Sequence, residues 1–299
     1  MSVTVRVPAK VNVQLAVGAA RPDGFHDLAN VFLAVGLHDE VTATAADELT
    51  LTCEGPGADQ VPLDRTNLAA RAAIALGERY GIEPRVHLHI DKDIPVAGGM
   101  AGGSADAAGA LVACDALWGT GATRDELLDI CAELGSDVPF SLVGGAALGT
   151  GRGEKLQLLD VGGEFSWVFA AADGGLSTPA VYGEFDRLAQ GRAIPEPEAS
   201  PALLYALCRG DASALAATLT NDLQPAALSL FPALKGTLDA GTAAGALAGL
   251  VSGSGPTTAF LCADERSARA VAAALTASGT CRSVRVTTSP APGATVVQR

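Results

Sequence analysis

The chain has 299 residues, 48% of them hydrophobic, and a formal net charge of −13. It is long enough for two domains with substantial cores and too apolar for wholesale disorder. A chain this acidic has no general attraction for nucleic acid or an anionic membrane, so any phosphate it binds must be held locally, by backbone N–H groups and a few basic side chains.

In chain order, no basic stretch leads into an apolar run at the N-terminus, so no signal peptide is expected. Residues 3–7 alternate apolar with polar, and strand-like runs follow at 11–17, 28–35, 41–45 and 49–53. Residues 67–80 predict a helix with Asn67 as N-cap and Gly81 just past its end, and 85–91 another alternating strand. A glycine-dense stretch, 95–103, leads into an Ala-rich helix over about 104–118. Thr123-Arg124-Asp125-Glu126 is a capping box opening the next helix, and Gly135-Ser136-Asp137-Val138-Pro139 opens a third. Residues 166–172 read as a buried strand. Helices are predicted at about 178–189, 200–208, 211–219 and 231–243, then a strand at 247–251, a turn, a strand at 257–262, a helix at 265–277 and a strand at 281–287. This closing order predicts an α+β sandwich with an antiparallel sheet. Residues 191–201, with three prolines, form an exposed connection. A boundary near 155–165 divides the chain into domains of 1–160 and 161–299.

The uncharged stretch 240–263 is split by Ser252-Gly253-Ser254-Gly255-Pro256, which predicts two short buried elements rather than a membrane span. The six cysteines form no C-x-x-C pair, which predicts free thiols in a reducing compartment, not a disulfide framework or a zinc site. His87 and His89 share a strand face without a third ligand nearby, so no metal site is expected.

The strongest chemical signal is Pro95-Val96-Ala97-Gly98-Gly99-Met100-Ala101-Gly102-Gly103-Ser104-Ala105. Glycines let a ligand approach the main chain, and the following helix N-terminus adds free N–H groups and partial positive charge. Such a loop suits a nucleotide triphosphate, with Ser104 for a phosphate oxygen or a metal. It is neither a Walker A motif nor the dinucleotide fingerprint. A Gly/Ala stretch can also serve tight helix packing, and on its own it leaves both readings open. Lys10 and Asn12 fall on one face of a strand built for burial. Lys10 there needs an anionic partner, unless it lies on a surface edge. Arg21-Pro22-Asp23-Gly24-Phe25-His26 is a turn presenting an aromatic and a histidine, suited to stacking on a flat heterocycle, or else a plain hairpin with Phe25 tucked inward. Asp137 is either a general base or a helix N-cap before Pro139. The 252–256 turn approaches a ligand or is a tight connection.

Taken together, P-A-K-V-N, the glycine loop, G-S-D-V-P and the late G-S-G-P turn resemble the GHMP small-molecule kinases over nearly the whole chain. R-P-D-G-F-H and Leu176-Ser177-Thr178-Pro179-Ala180-Val181-Tyr182 resemble the diphosphocytidyl-methylerythritol kinase branch. The resemblance implies an N-terminal domain like ribosomal protein S5 domain 2 and a ferredoxin-like C-terminal domain, with ATP and substrate in the cleft between them. It implies a cytoplasmic enzyme, monomer or homodimer, moving the γ-phosphoryl of Mg-ATP to the 2-hydroxyl of a cytidine-diphosphate-bearing methylerythritol in non-mevalonate isoprenoid synthesis. Carried over by position, Asp137 is the base and Lys10 its partner. Residues 95–105 form the ATP phosphate loop. Asn12 and His26 contact substrate, and Phe25 and Tyr182 sandwich the cytosine.

The chain departs from the family pattern in places. Phe25 stands where tyrosine is common, Met100-Ala101 where Leu-Gly is, and Ala105-Asp106 where Ser-Asn or Ser-Ser is. An extra carboxylate at Asp106 near a triphosphate repels it unless Mg²⁺ or a side chain intervenes. A homoserine, mevalonate or sugar kinase is the nearest alternative, but those substrates offer no base to stack on. A non-catalytic nucleotide-binding protein would not need both Lys10 and Asp137, and an RNA-binding module conflicts with the charge.

Overall fold

The computed structural model describes residues 1–96 and 98–298. Its opening strands run well past the predicted stretches. Ser2–Ala20 forms a single strand, β1, and His26–Ala45 a second, β2, each fusing two predicted runs. Register shifts between Pro8/Ala9, Asn12/Gln14 and Val17/Ala20 break the alternation without ending the ladder. A bulge bends a strand rather than terminating it, and this is why the sequence pattern reads as separate strands.

Thr50–Glu54 (β3) and Val86–Asp91 (β4) flank the helix Leu68–Tyr80 (α1). Asn67 caps α1 by accepting from the Ala69 N–H, and Gly81 closes it at φ 66°. Gly102–Trp118 (α2), Arg124–Leu134 (α3) and Val138–Val143 (α4) follow, α3 with the expected Thr123/Glu126 capping box. Helix α2 is small and apolar on nearly every side, as a fully buried helix must be. It lies against α1, β1 and β2. Gly109 permits the close approach, because a Cβ there would sit 2.8 Å from methyls of Val7 and Val41.

A hairpin absent from the sequence reading comes next, Ala146–Thr150 (β5) and Lys155–Leu159 (β6), then the buried strand Phe165–Ala171 (β7). The second half continues with Thr178–Ala189 (α5), Pro201–Arg209 (α6), Ala212–Ala216 (α7), Thr220–Asn221 (β8), Gln224–Leu230 (α8) and Leu234–Ala243 (α9). It closes with Ala248–Val251 (β9), Thr258–Cys262 (β10), Glu265–Ser278 (α10), Ser283–Ser289 (β11) and Thr295–Gln298 (β12). Of these, β8, α8 and β12 are not in the sequence reading.

The strands form two sheets. The larger runs β12-β1-β2-β4-β3, with β5 and then β6 added beside β2, and β8 parallel to β1. The smaller, β11-β7-β10-β9, is antiparallel throughout. Val168, Ala170 and Phe260 face Val271 and Leu275 of α10, while Trp167, Phe169 and Leu261 join the main core. This is the expected α+β organisation, with two strands of the second half, β8 and β12, crossing back to pair with β1. Among the described residues no helix is long and apolar enough to cross a membrane.

The core also holds a charged cluster. Lys92, just after β4, donates from Nζ to Asp39 Oδ2 of β2 at 2.5 Å and to Asp106 Oδ2 of α2 at 2.8 Å. All three side chains are buried, and Asp106 Oδ1 has no hydrogen-bond partner. The side chain that meets the Asp106 carboxylate is thus Lys92. Burial alone would pull the lysine down, but Asp106 and Asp39 hold it above its ordinary range. Burial pushes Asp106 from its ordinary 3.8 up to about 7, against the pull of Lys92 and helped by the charge on Asp39. Between those values the native chain keeps a proton that the unfolded chain gives up, so stability falls as pH rises through the window.

Asp106→Asn cannot ionise and should remove that slope. Between pH 4.5 and pH 7.5 the wild-type melting temperature is expected to fall more than that of the variant, by about 1–2 °C or more, since each kcal/mol shifts the melting temperature less in longer chains. Parallel pH profiles in thermal melts would contradict this.

Candidate active site

Helix α2 begins without a side-chain cap, because the N-cap position is Ala101, at φ 62°. It is the one described non-glycine residue at positive φ, a conformation that costs roughly 1–2 kcal/mol for an L-residue. Uncapped first-turn N–H groups and the helix dipole point towards the loop, the arrangement that holds an anion. Gly98, Gly99, Ala101, Gly102, Gly103 and Ser104 line a cavity of about 770 Å³. Of the other predicted loop residues, Met100 and Ala105 turn into the core. Pro95 and Val96 are not among the lining residues. Ala97 lies outside the described residues.

Gly99 ties the loop to the second half of the chain. Its carbonyl accepts from Lys10 Nζ at 3.0 Å and from Ser252 Oγ at 3.1 Å. At φ 73°, a Cβ there would collide with the Ser252 carbonyl oxygen and stand 3.1 Å from Gly255 N. The 252–255 turn therefore abuts the loop, and Gly253, Ser254 and Gly255 line the same cavity. Asn221 of β8 steadies the turn, donating to the carbonyls of Val251 and Gly253 at 2.7 and 2.8 Å.

Lys10 is 5% exposed. Its ammonium donates to Asn12 Oδ1 at 2.7 Å and lies 3.5 Å from Asp137 Oδ2. Asn12 passes the chain on, donating from Nδ2 to Asn30 Oδ1 at 2.6 Å, which fixes its amide orientation. Asp137 occupies the N-cap position of α4 yet makes no capping hydrogen bond. Its carboxylate faces the cavity instead.

Phe25, His26 and Tyr182 line the cavity as well. Phe25 is 49% exposed, not tucked into the core. The Arg152 guanidinium lies 4.9 Å over its ring, a cation–π contact. Buried His26 packs on Tyr182 with ring centroids 5.0 Å apart and planes tilted by 33°, and its Nε2 meets Asp186 Oδ1 at 2.9 Å. In the neutral ring, Nε2–H donating to the carboxylate leaves Nδ1 as an acceptor. Burial, with Asp137 nearby, pushes the Tyr182 phenol up, so it stays protonated.

The sequence reading did not single out Asn30, Arg152, Ser136 or Asp186, all of which line the cavity. Asn30 interrupts an otherwise apolar strand, and Arg152 sits in a Gly-Arg-Gly turn, so each carried a weak signal. Asp186 lies one helical turn beyond Tyr182, and only the fold brings it to His26. Lys92 and Asp106 stay out of the cavity lining. His87 and His89 form a hydrogen-bonded chain with Thr50, Thr52 and Glu54. No grouping of three metal-ligating His, Cys, Asp or Glu occurs among the described residues. Ser104, in the first turn of α2, places a hydroxyl in the cavity lining.

Residues 67–145 match the family description "GHMP kinases N terminal domain", and 203–281 match "GHMP kinases C terminal". The chain is 80% identical to 4-diphosphocytidyl-2-C-methyl-D-erythritol kinase of Streptomyces avermitilis, over 99% of this chain and 100% of that one. It is 56% identical to the protein of that name from Mycolicibacterium smegmatis, over 99% and 92%. A crystal structure of 4-(cytidine 5'-diphospho)-2C-methyl-D-erythritol kinase superposes with a TM-score of 0.76 at 33% identity, covering 95% of this chain and 98% of that one. Homoserine kinase from Cytophaga hutchinsonii shares the fold, with a TM-score of 0.77 at 20% identity over 99% and 97% of the two chains.

Gly99→Ala should lower the melting temperature more than Gly24→Ala. Both residues have positive φ, but nothing lies within 4 Å of a Cβ on Gly24. The Gly24 variant pays only the backbone cost of roughly 1–2 kcal/mol, and the excess at Gly99 measures the contact with the 252–255 turn. Equal losses in thermal melts would show that the contact does not constrain the loop.

Proposed function

From the premise that the chain belongs to the GHMP kinases, among the 4-diphosphocytidyl-2-C-methyl-D-erythritol kinases, we propose that this ATP-dependent kinase phosphorylates the 2-hydroxyl of 4-diphosphocytidyl-2-C-methyl-D-erythritol in non-mevalonate isoprenoid synthesis. One observation supports it above the rest: a single cavity gathers the glycine loop, the Lys10–Asp137 pair and the Phe25/His26/Tyr182 set. A nucleotide needs the first, phosphoryl transfer the second, and a flat base the third.

Phosphoryl transfer is mostly positioning plus stabilisation of charge on the transferring group. The loop N–H groups and the α2 N-terminus receive the triphosphate, and Ser104 meets a phosphate oxygen or the Mg²⁺ that accompanies it. Asp137 accepts the proton of the acceptor hydroxyl as its oxygen attacks the γ-phosphorus. The bond from the γ-phosphorus to the β–γ bridging oxygen breaks, and ADP leaves with the electron pair. Lys10, fixed by Asn12 and the Gly99 carbonyl, holds that hydroxyl and Asp137 together. Phe25 and Tyr182 flank the cytosine. His26, oriented by Asp186, offers Nδ1 as an acceptor for its exocyclic amine. Arg152, whose guanidinium lies over Phe25, suits the substrate's diphosphate. We further read residues 1–160 and 161–299 as the two domains, and the enzyme as cytoplasmic, monomeric or homodimeric.

ADP release from Mg-ATP, measured with diphosphocytidyl-methylerythritol, mevalonate, homoserine and galactose, tests the assignment. Turnover confined to the cytidyl acceptor is expected, and turnover with another one overturns the substrate. Phe25→Ala should raise the acceptor KM by about 5–100-fold, since stacking on one base contributes about 1–3 kcal/mol, and leave the ATP KM unchanged. Asp137→Asn should lower kcat by about 10²–10⁴-fold with ATP affinity preserved. If kcat survived and only stability dropped, Asp137 would be no more than a helix-terminal residue.

A further inference from the structure

The Asp39–Lys92–Asp106 cluster lies outside the cavity, yet it brackets the loop. The segment entering the loop is fastened twice. The Lys92 N–H donates to the Glu54 carbonyl at 2.9 Å, and Asp39 Oδ1 accepts from the N–H groups of Asp93 and Ile94 at 2.8 and 2.9 Å. The helix leaving the loop is fastened through Asp106 to the same ammonium, which the other carboxylate oxygen of Asp39 also holds. Both ends of the loop are thereby referred to one point on β2. Lys92 Nζ lies directly under the exit, 3.1 Å from where a Cβ on Gly102 would be. Between the two ends stands Ala101 at φ 62°, and a strained residue persists only where its surroundings over-determine it.

Core packing alone does not call for this arrangement. One lysine serves two carboxylates, and Asp106 Oδ1 is buried without a partner. Apolar side chains of similar size fill a core as well as such a cluster or better. What they would not do is hold the backbone of the entering segment by hydrogen bonds and, through the same ammonium, a side chain of the leaving helix.

We infer that Asp39, Lys92 and Asp106 are positioning residues for the nucleotide: they set the separation and tilt of the two ends of the glycine loop, so that its N–H groups converge on the phosphates. The inference rests on the reading of that loop as the phosphate cradle. Lys10 and Asp137 sit on other elements, and the Gly99 carbonyl that Lys10 shares with the loop is held separately by Ser252, so the cluster acts on nucleotide binding more than on the chemical step.

The test is steady-state kinetics on the full chain with a charge-free variant, Asp39→Asn/Lys92→Met/Asp106→Leu, beside Asp106→Asn alone. The charge-free variant should melt no lower than wild type at pH 7.5. Its KM for ATP should rise about 10–100-fold, the scale of a misplacement of about 1 Å. Its acceptor KM and saturated kcat should stay within about threefold, the signature of lost uniform binding. Asp106→Asn keeps an acceptor for Lys92 and should retain a near-wild-type ATP KM. A charge-free variant that is unfolded, that has a wild-type ATP KM, or that loses ATP KM, acceptor KM and kcat in parallel overturns the inference. Ser104→Ala separates the two levels: if it too leaves the ATP KM unchanged, the reading of the loop itself has failed.

Discussion

Lys10 carries an ammonium group into the middle of the molecule, and a buried charge without partners is prohibitively costly. Its partners come from β1 through Asn12, from the glycine loop through the Gly99 carbonyl and from the start of α4 through Asp137. The 252–255 turn of the second half closes behind it, with Ser252 sharing the Gly99 carbonyl. Losing any of these leaves the ammonium under-satisfied. The two halves of the chain and the Lys10–Asp137 pair therefore meet around one buried charge, and the cavity lies among the elements that surround it.

On the proposed reading of the glycine loop, how the chain manages phosphate follows from its net charge of −13. It does not build a basic surface. It uses dipoles, which do not depend on composition: the N–H groups of a glycine loop and the positive end of a 17-residue buried helix. Full positive charge is spent sparingly, on Lys10 inside and Arg152 over Phe25. The cavity therefore favours anions while the exterior repels them, which suits recognition of a small ligand rather than a polymer.

Much of this was legible in the sequence, for identifiable reasons. Helices announced themselves where a side chain or a glycine fixes an end locally, as Asn67, Gly81 and the Thr123/Glu126 box do. The cavity residues that stood out were polar groups set in apolar strands or in glycine turns, such as Lys10 and His26. What stayed hidden was decided at long range. The bulges that fuse two predicted strands into β1 depend on its partner. The β5–β6 hairpin is glycine-rich and short, and makes sense only as an extension of β2. Asp106 follows the loop, so the sequence placed its carboxylate near the triphosphate and left open whether a cation or a side chain meets it. The helix turns it inward, to a lysine 14 residues earlier. His26 and Asp186 are separated by 160 positions, and no local pattern connects them.

The return of β12 to β1 has a consequence for how the chain is made. Thr4 pairs with Gln298 and Arg6 with Thr295, so one edge of the first sheet waits for residues synthesised long after β1. At a synthesis rate of about 5–20 residues per second, that edge stays open for roughly 15–60 s on the ribosome. An uncovered strand edge is a template for pairing with other chains. Nascent copies of this protein are thus most prone to associate along the outer edge of β1 until Thr295–Gln298 has been made and covers it.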